Sequence, residues 1–124
     1  MRRAAVGAVG VAFLLLSLTT PPAGFSDGEP EWSPNGRWIA FSRTPGCHSY
    51  CLPVLYVVPA AGGEPHRLAI NAGAPAWSPD GGLIAFVRSR MHEGSEIWVM
   101  NADGSNQRKL TRLGRTNDTP AWQP

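Results

Sequence analysis

Two cysteines, Cys47 and Cys51, enclose His48-Ser49-Tyr50, and their spacing suggests chemistry more directly than any other pair of residues in the chain. Two thiols this close can oxidise to a disulfide, or they can join a histidine in holding a metal ion. A structural zinc site needs four ligands, and this segment supplies three. We therefore predict a Cys47–Cys51 disulfide that closes a small loop, and no metal site.

The other residues of catalytic type form no recognisable arrangement. Ser95 lacks the second glycine of a nucleophile elbow. Asp80 and Asp103 each precede a glycine, where a carboxylate normally bonds to its own turn, and they lack the spaced acidic series of a calcium loop. We expect no catalytic residue and no cofactor. Three histidines share no spacing, namely His48, His66 and His92.

A charged and polar segment, residues 88–96, separates two apolar stretches and is the part of the chain best suited to contact a partner. From their position in this segment, we predict that Arg88, Arg90, His92 and Glu93 make such contacts. A solvated turn is the alternative interpretation.

The chain that must position these groups has 124 residues and is 43% hydrophobic, with 14 Gly and 12 Pro. This length corresponds to about one small domain. Helix interiors exclude Gly and Pro, so the composition argues against a helical bundle and favours short strands joined by tight turns.

The N-terminal segment predicts export. Arg2 and Arg3 precede an uncharged apolar run, residues 4–18. The run is shorter than the roughly 20 residues of a membrane-crossing helix but fits a secretory signal. We assign residues 1–26 to a signal helix cleaved after Ser26, with an uncleaved anchor as the alternative. The protein is then periplasmic or secreted, and it touches the membrane only through this segment if it stays uncleaved.

Loss of the signal also changes the charge. The whole chain carries a formal net charge of +2. Removal of Arg2 and Arg3 leaves the basic and acidic residues in balance. No basic stripe with interleaved aromatic residues remains, so we expect no nucleic-acid partner.

An internal repeat organises the rest of the chain. The string P-E-W-S-P-N-G at residues 30–36 recurs as P-A-W-S-P-D-G at 75–81, and its first half returns as P-A-W-Q-P at 120–124. Successive tryptophans of this string are 45 residues apart, whereas a second matching block is offset by 42, so the copies differ in loop length.

Each copy predicts four antiparallel strands. In W-S-P-D-G, Ser starts the turn, Pro presets the backbone, Asp bonds back to nearby amides and Gly closes the turn. N-A-D-G provides a second turn. Aromatic residues at fixed repeat positions are more often core than the lining of a ligand groove. The predicted repeat core is Trp32, Phe41, Trp77, Phe86, Trp98 and Trp122.

The string P-A-W-S-P-D-G-x-x-I-A-F, followed by I-W-V-M-N-A-D-G-x-x-x-R-x-L-T, resembles the blade repeat of TolB-like β-propellers, which are periplasmic relatives of WD-type propellers. The resemblance covers residues 30–124. It implies an all-β fold of antiparallel four-stranded blades around a central channel. The first blade is assigned to residues 27–72, the second to 73–117 and the first strand of a third to 118–124. The separate α/β domain of TolB has no counterpart here.

Two copies and one strand make an incomplete propeller, because propellers typically close with four to eight blades. A repeat cannot bury its apolar face without neighbours. We therefore expect a truncated product of a longer propeller, an assembly with further copies or other blade-bearing chains, or a small two-sheet wedge.

The resemblance implies an exported, non-enzymatic scaffold that binds a protein partner in the cell envelope or a ligand. The alternative is the propeller portion of a larger peptidase or hydrolase, because similar blades precede serine-peptidase domains. That alternative predicts further coding sequence with a G-x-S-x-G motif. A third hypothesis, a remnant without independent function, predicts an unfolded or aggregated chain.

Overall fold

The computed structural model describes residues 21–112 and 119–124, and eight strands lie within them. Residues 1–20 of the predicted signal helix, which was assigned to residues 1–26, lie outside the described residues. No helix occurs in the described part of the chain. The strands are β1 (Phe25–Trp32), β2 (Trp38–Pro45), β3 (Val54–Pro59), β4 (His66–Ile70), β5 (Ala72–Trp77), β6 (Leu83–Arg90), β7 (Gly94–Asn101) and β8 (Arg108–Lys109).

The strands form two antiparallel sheets, ordered β1-β2-β3-β4 (the first sheet) and β5-β6-β7-β8 (the second sheet). Neighbours in each sheet are consecutive in sequence, so successive connections alternate between opposite ends. We call the end that carries the β2–β3 and β6–β7 connections the loop end. The opposite end, with the β1–β2, β3–β4, β5–β6 and β7–β8 connections, is the turn end.

The W-S-P-D-G string makes the β5–β6 hairpin, as its residue types predict. The Ser78 amide donates to the Leu83 carbonyl at 2.9 Å, and the Gly81 amide donates to the Ser78 carbonyl at 2.8 Å. Gly81 has a φ of 77°, which favours glycine over other residues. The first copy repeats this geometry, with Gly36 at a φ of 70°.

The first strand of each sheet contains a β-bulge that the sequence did not predict. The ladder shifts register between Gly28 and Glu31 in β1, and between Gly73 and Ala76 in β5. The first of the two residues inside each shift is not glycine but has a positive φ, 50° at Glu29 and 49° at Ala74. These positions are equivalent in the repeat, so the bulge belongs to the repeating unit.

The main apolar core lies between the two sheets. Phe86 is fully buried there and belongs to a cluster that both sheets supply. An antiparallel sheet lies on each side of this shared core. Burial of the apolar surface between them holds the two sheets together. Its buried members are Leu55 and Ala69 of the first sheet and Ala72, Ile84, Phe86 and Met100 of the second.

A second cluster lies on the other face of the first sheet. A Cβ built on Gly73 of β5 would lie 3.6 Å from the Ser42 side chain, so Ser42 faces the second sheet. Side chains alternate along a strand, so Phe41 points the opposite way. The cluster contains Ile39, Phe41, Val58 and Ala60, with Trp32 and Tyr56 packed against them. The first sheet therefore buries apolar residues on both faces.

The sheets meet through β5, which approaches β1, β2 and β3. One carboxylate oxygen of Glu29 accepts a hydrogen bond from the Ala74 amide at 2.8 Å and one from the Ser42 hydroxyl at 2.7 Å. A Cβ on Gly73 would lie only 2.8 Å from the same oxygen, so glycine permits this close approach. Glu29 thus joins the bulges of the two sheets.

The strand bounds differ slightly from the sequence assignments. β1 begins at Phe25, so cleavage after Ser26 would remove the first two residues of a paired strand. A single residue, Asn71, with a φ of 54°, connects β4 to β5, which places Ala72 in the second sheet. Residues 119–124 form no strand in the described structure.

Candidate functional site

The loop end carries the disulfide. Cys47 and Cys51 are bonded to each other, with their Cα atoms 6.3 Å apart, in the connection between β2 and β3. Two backbone hydrogen bonds anchor this connection, one from the Gly46 amide to the Gly24 carbonyl and one from the Ala72 amide to the Pro53 carbonyl. The disulfide therefore closes a loop whose two ends are tied to β-structure.

The β6–β7 hairpin lies at the same end and presents three of the four residues predicted as partner contacts. Arg90, His92 and Glu93 are exposed. His92 makes the tight turn at a φ of 63°. Arg90 and Glu93 form an ion pair at 3.6 Å, with side chains 52% and 59% exposed. An ion pair this exposed contributes little to stability, which leaves both side chains available to a partner.

The fourth predicted contact, Arg88, lies elsewhere. Its guanidinium sits over the ring of Trp98 at 4.3 Å and donates to Gln107 Oε1 at 2.7 Å. Its Nε is buried with no hydrogen-bond partner. Burial lowers the pKa of Arg88, although the charge of Glu96 opposes the effect. Arg88 therefore packs within the molecule, while the other three form the exposed tip.

Large exposed apolar side chains concentrate at the loop end. Tyr50 lies in the disulfide loop and is 58% exposed, and Met91 forms the hairpin tip. Phe25 begins β1 and Ile70 ends β4, so both lie at the same end. Of the remaining large exposed apolar residues in the described part of the chain, Trp38 lies at the turn end and Leu110 follows β8.

The predicted core residues take equivalent places in the two sheets. Trp77 and Trp98 pack against the shared core around the buried Phe86, and Trp32 packs against the second cluster that contains Phe41. The three histidines do not lie together. His48 and His92 lie at the loop end, whereas His66 begins β4 at the turn end. Within the described residues, no group of three or more His, Cys, Asp or Glu side chains is placed to hold a metal ion.

A tryptophan hydrogen bond repeats between successive copies. Trp77 Nε1 donates to the Glu31 carbonyl at 3.1 Å, and Trp122 Nε1 donates to the Ala76 carbonyl at 2.8 Å. In both cases the acceptor directly precedes the tryptophan of the previous copy. Trp122 thus bonds to the second sheet as Trp77 bonds to the first, although the segment that contains Trp122 forms no strand.

Glu96 is a buried acidic residue that sequence reasoning did not single out. Its side chain is 1% exposed, accepts a hydrogen bond from Trp98 Nε1 at 3.0 Å and pairs with Lys109 at 3.3 Å. The bond from Trp98, followed by that from Lys109, lowers the pKa of Glu96. Trp98 lies two residues further along the same strand, whereas Lys109 lies on β8 and comes near Glu96 only through strand pairing.

The turn end holds a groove between the two sheets, with a volume of about 450 Å³. Trp38 and Trp77 line it together with polar residues of both sheets. Sequence reasoning assigned Trp77 to the core and passed over Trp38. One sequence signal could have grouped them. Trp77 begins the W-S-P turn of the second copy and Trp38 follows that of the first, and both turns lie at the turn end.

The described residues, 21–112 and 119–124, include no helix of the length and apolar character needed to cross a membrane.

The two sheets are β-propeller blades, which comparison with solved structures supports. The propeller domain of the trilobed protease from Pyrococcus furiosus matches with a TM-score of 0.66 at 22% identity, covering 83% of this chain and 32% of that one. Acylaminoacyl peptidase from Pyrococcus horikoshii matches with a TM-score of 0.64 at 19% identity, covering 79% and 15%.

TolB from Acinetobacter baumannii matches with a TM-score of 0.54 at 23% identity, covering 69% of this chain and 21% of that one. No protein-family model and no curated protein matches the chain. The chain spans about a third or less of the length of these three structures. The chain therefore has the blade fold that TolB shares with peptidase propellers, as the repeat strings indicate.

Proposed function

We propose that this chain is part of an exported, non-catalytic propeller that binds a protein partner through its loop end. The observation that carries the proposal is the grouping of exposed apolar side chains there. Monomeric proteins rarely expose contiguous apolar patches, and patches rimmed by polar residues mark protein interaction sites. Tyr50 and Met91 are the members that lie in the connections between strands, with Arg90, His92 and Glu93 beside Met91.

The disulfide supports both the site and the export. A Cys47–Cys51 bond limits the conformations of the loop that carries Tyr50, so less entropy is lost when a partner orders it. Disulfides persist in oxidising compartments and are rare in the cytosol. The apolar run at residues 4–18 agrees with this, and we propose a periplasmic or secreted location.

A capture experiment tests the proposal. The full chain, expressed with its natural N-terminus and immobilised, is exposed to a cell-envelope extract, alongside a Tyr50→Ser/Met91→Ser variant. Leu110→Ser is the matched control, because Leu110 is 57% exposed, about as much as Tyr50, but its amide donates to the Ile97 carbonyl midway along β7 and not in a loop-end connection. We expect a protein captured by the wild type and the control but lost with the loop-end variant. Equal capture by all three would contradict the proposal.

The peptidase propellers among the structural neighbours favour a second candidate, a propeller that precedes a hydrolase domain. In that case the loop end or channel would face a catalytic domain and filter its substrates. Coding sequence for a G-x-S-x-G motif beyond residue 124 supports this candidate. Its absence from the gene, together with capture of a separate partner protein, supports the first.

A further inference from the structure

The groove at the turn end lies on the side of the molecule opposite the proposed partner surface. Its volume, about 450 Å³, falls within the range of about 300–1,000 Å³ typical of small-molecule sites. The first sheet contributes Trp38, His66 and Arg67 to its lining. The second sheet contributes Trp77, Asp80 and Asp103. A molecule bound here would contact both sheets.

The groove is held in shape before any ligand arrives. Trp77 is fixed by its hydrogen bond to the Glu31 carbonyl at 3.1 Å and by packing against the shared core. The Trp38 amide donates to Ser33 Oγ at 3.0 Å, which fixes the start of β2. Because the Trp77 ring and the backbone at Trp38 are already ordered, binding would lose little of their conformational entropy.

The carboxylates of the groove are fixed and ionised at neutral pH. Asp80 Oδ1 accepts hydrogen bonds from the Gly82 amide at 2.9 Å and Ser78 Oγ at 2.7 Å, and these lower the pKa of Asp80. A hydrogen bond from the Ser105 hydroxyl, followed by one from its amide, lowers the pKa of Asp103. The bonds to Asp80 use Oδ1, so Oδ2 lies outside the turn network.

The polar lining combines opposite hydrogen-bonding characters. Ionised Asp80 and Asp103 only accept hydrogen bonds, whereas Arg67 only donates them. A cation would suit the carboxylates and the indole faces but would offer the Arg67 guanidinium no hydrogen-bond acceptor. An anion would suit Arg67 but would be repelled by both carboxylates. A neutral ligand whose hydroxyls both donate and accept can satisfy all three.

We propose that this groove binds a neutral saccharide of one or two rings. The C–H face of a sugar ring would lie against Trp38 or Trp77, and its hydroxyls would donate to Asp80 or Asp103 and accept from Arg67. This function is separate from partner binding at the loop end, because the two sites lie at opposite ends of the sheets.

The test is calorimetric titration of the full chain with glucose, galactose, mannose, N-acetylglucosamine, cellobiose, lactose and chitobiose at millimolar concentrations. Methylammonium and acetate serve as the cationic and the anionic probe. We expect at least one sugar to bind and neither charged probe to do so. Binding of none of the sugars, or of a charged probe in their place, overturns the proposal.

Two variants locate the binding. Trp38→Ala and Arg67→Ala should each weaken sugar binding about tenfold or more, equivalent to about 1.4 kcal/mol or more. Tyr50→Ala, which removes an exposed aromatic ring at the loop end, should leave it unchanged. Circular dichroism confirms that each variant is folded, and the Arg67→Ala result decides the matter if Trp38→Ala does not fold. Sugar binding that both folded variants retain in full contradicts the assignment.

A second experiment distinguishes a sugar that is part of an insoluble glycan from a free sugar. The chain is sedimented with insoluble cellulose and chitin and compared with the soluble sugars of the same type. Retention on the polymer indicates a glycan surface, and binding of the soluble form alone indicates a free sugar. Because the loop-end variant Tyr50→Ser/Met91→Ser keeps the groove, loss of partner capture leaves sugar binding intact, so the two proposals fail independently.

Discussion

The two sheets each place an arginine over two aromatic rings, but they give its guanidinium different hydrogen-bond partners. Arg43 and Arg88 occupy equivalent positions on β2 and β6. Stacking of a guanidinium on aromatic rings stabilises partly desolvated positions. The guanidinium carbons lie 5.5 Å from Phe41 and 5.2 Å from Tyr56 in the first sheet, and 5.3 Å from Phe86 and 4.3 Å from Trp98 in the second.

In the first sheet the charge is balanced by a direct partner. Asp27 on β1 accepts from Arg43 Nε at 2.6 Å and from Nη2 at 2.8 Å, and its side chain is 1% exposed. The hydrogen bond to Asp27 raises the pKa of Arg43, although burial opposes it. The pair is bidentate, the arrangement in which an arginine and a carboxylate interact most strongly.

In the second sheet the position of that carboxylate is taken by Ala72. Ala72 pairs with Arg88 in the ladder as Asp27 pairs with Arg43. Ala72 is fully buried in the shared core, where a carboxylate would be enclosed between sheets. Arg88 therefore bonds to the neutral Gln107 instead, and burial lowers its pKa. The stacked arginine is thus common to both copies of the repeat. The residue paired with it differs, because Ala72 is buried between the two sheets and Asp27 is not part of that core.

The largest effect is expected where the rings themselves are removed. Phe86→Ala should lower the free energy of unfolding by about 3–5 kcal/mol, because it leaves a cavity between the sheets. Urea unfolding measures the change. Phe86→Leu, which keeps most of the volume, serves as the control and should cost less than half as much. A loss below about 1 kcal/mol for Phe86→Ala would show that the sheets do not depend on the shared core.

The matched pair Arg43→Leu and Arg88→Leu tests the comparison directly. Arg43→Leu breaks the bidentate ion pair of the buried Asp27 carboxylate and should cost about 3–5 kcal/mol. Arg88→Leu removes a guanidinium whose Nε has no partner, so a cost of about 1 kcal/mol or less is expected. Both are measured by urea unfolding. Equal costs would mean that stacking, and not the ion pair, dominates in both sheets.

A smaller effect is expected for the tryptophan hydrogen bond between copies. Trp77→Phe keeps an aromatic ring but removes the donor to the Glu31 carbonyl, so the expected loss is about 1 kcal/mol from the hydrogen bond together with a contribution from the smaller ring. Thermal unfolding of this variant is compared with Trp122→Phe, which removes the equivalent bond to Ala76. If Trp77→Phe melts at the wild-type temperature, the bond does not join the sheets.

The smallest effect concerns pH, because the equivalent turn residues are Asn35 and Asp80. Both accept a hydrogen bond from a turn serine at 2.7 Å, but only Asp80 titrates. Its lowered pKa means that its stabilisation is present above about pH 4 and lost as the pH falls through the folded-state value. The melting temperature of Asp80→Asn should therefore fall less steeply below pH 4 than that of the wild type.

Asn35→Asp is the converse variant and should make the acid dependence steeper, because it gives the first sheet a titrating turn. Identical acid profiles for the wild type and both variants would contradict this assignment of the pH dependence.

The repeat string predicted the sheets and their turns, because Ser, Pro, Asp or Asn, and Gly each have a local conformational role that needs no distant partner. Contacts between residues on different strands could not be predicted from the sequence. Arg88 sits in a polar segment, yet its contacts with Trp98 and Gln107 arise from strand pairing and from a turn 19 residues away. The bulges at Glu29 and Ala74 also gave no signal, because neither residue type favours a positive φ.

The repeated tryptophan bond has a consequence for how such molecules can change. Donor and acceptor lie 46 residues apart at both steps, although the β2–β3 connection spans residues 46–53 and the β6–β7 connection only 91–93. The bond between Trp77 and the Glu31 carbonyl therefore joins the first strands of the two sheets at the turn end, away from the loop-end connections that differ in length. Insertions at the loop end can therefore lengthen one unit without displacing the tryptophan bond that joins it to its neighbour.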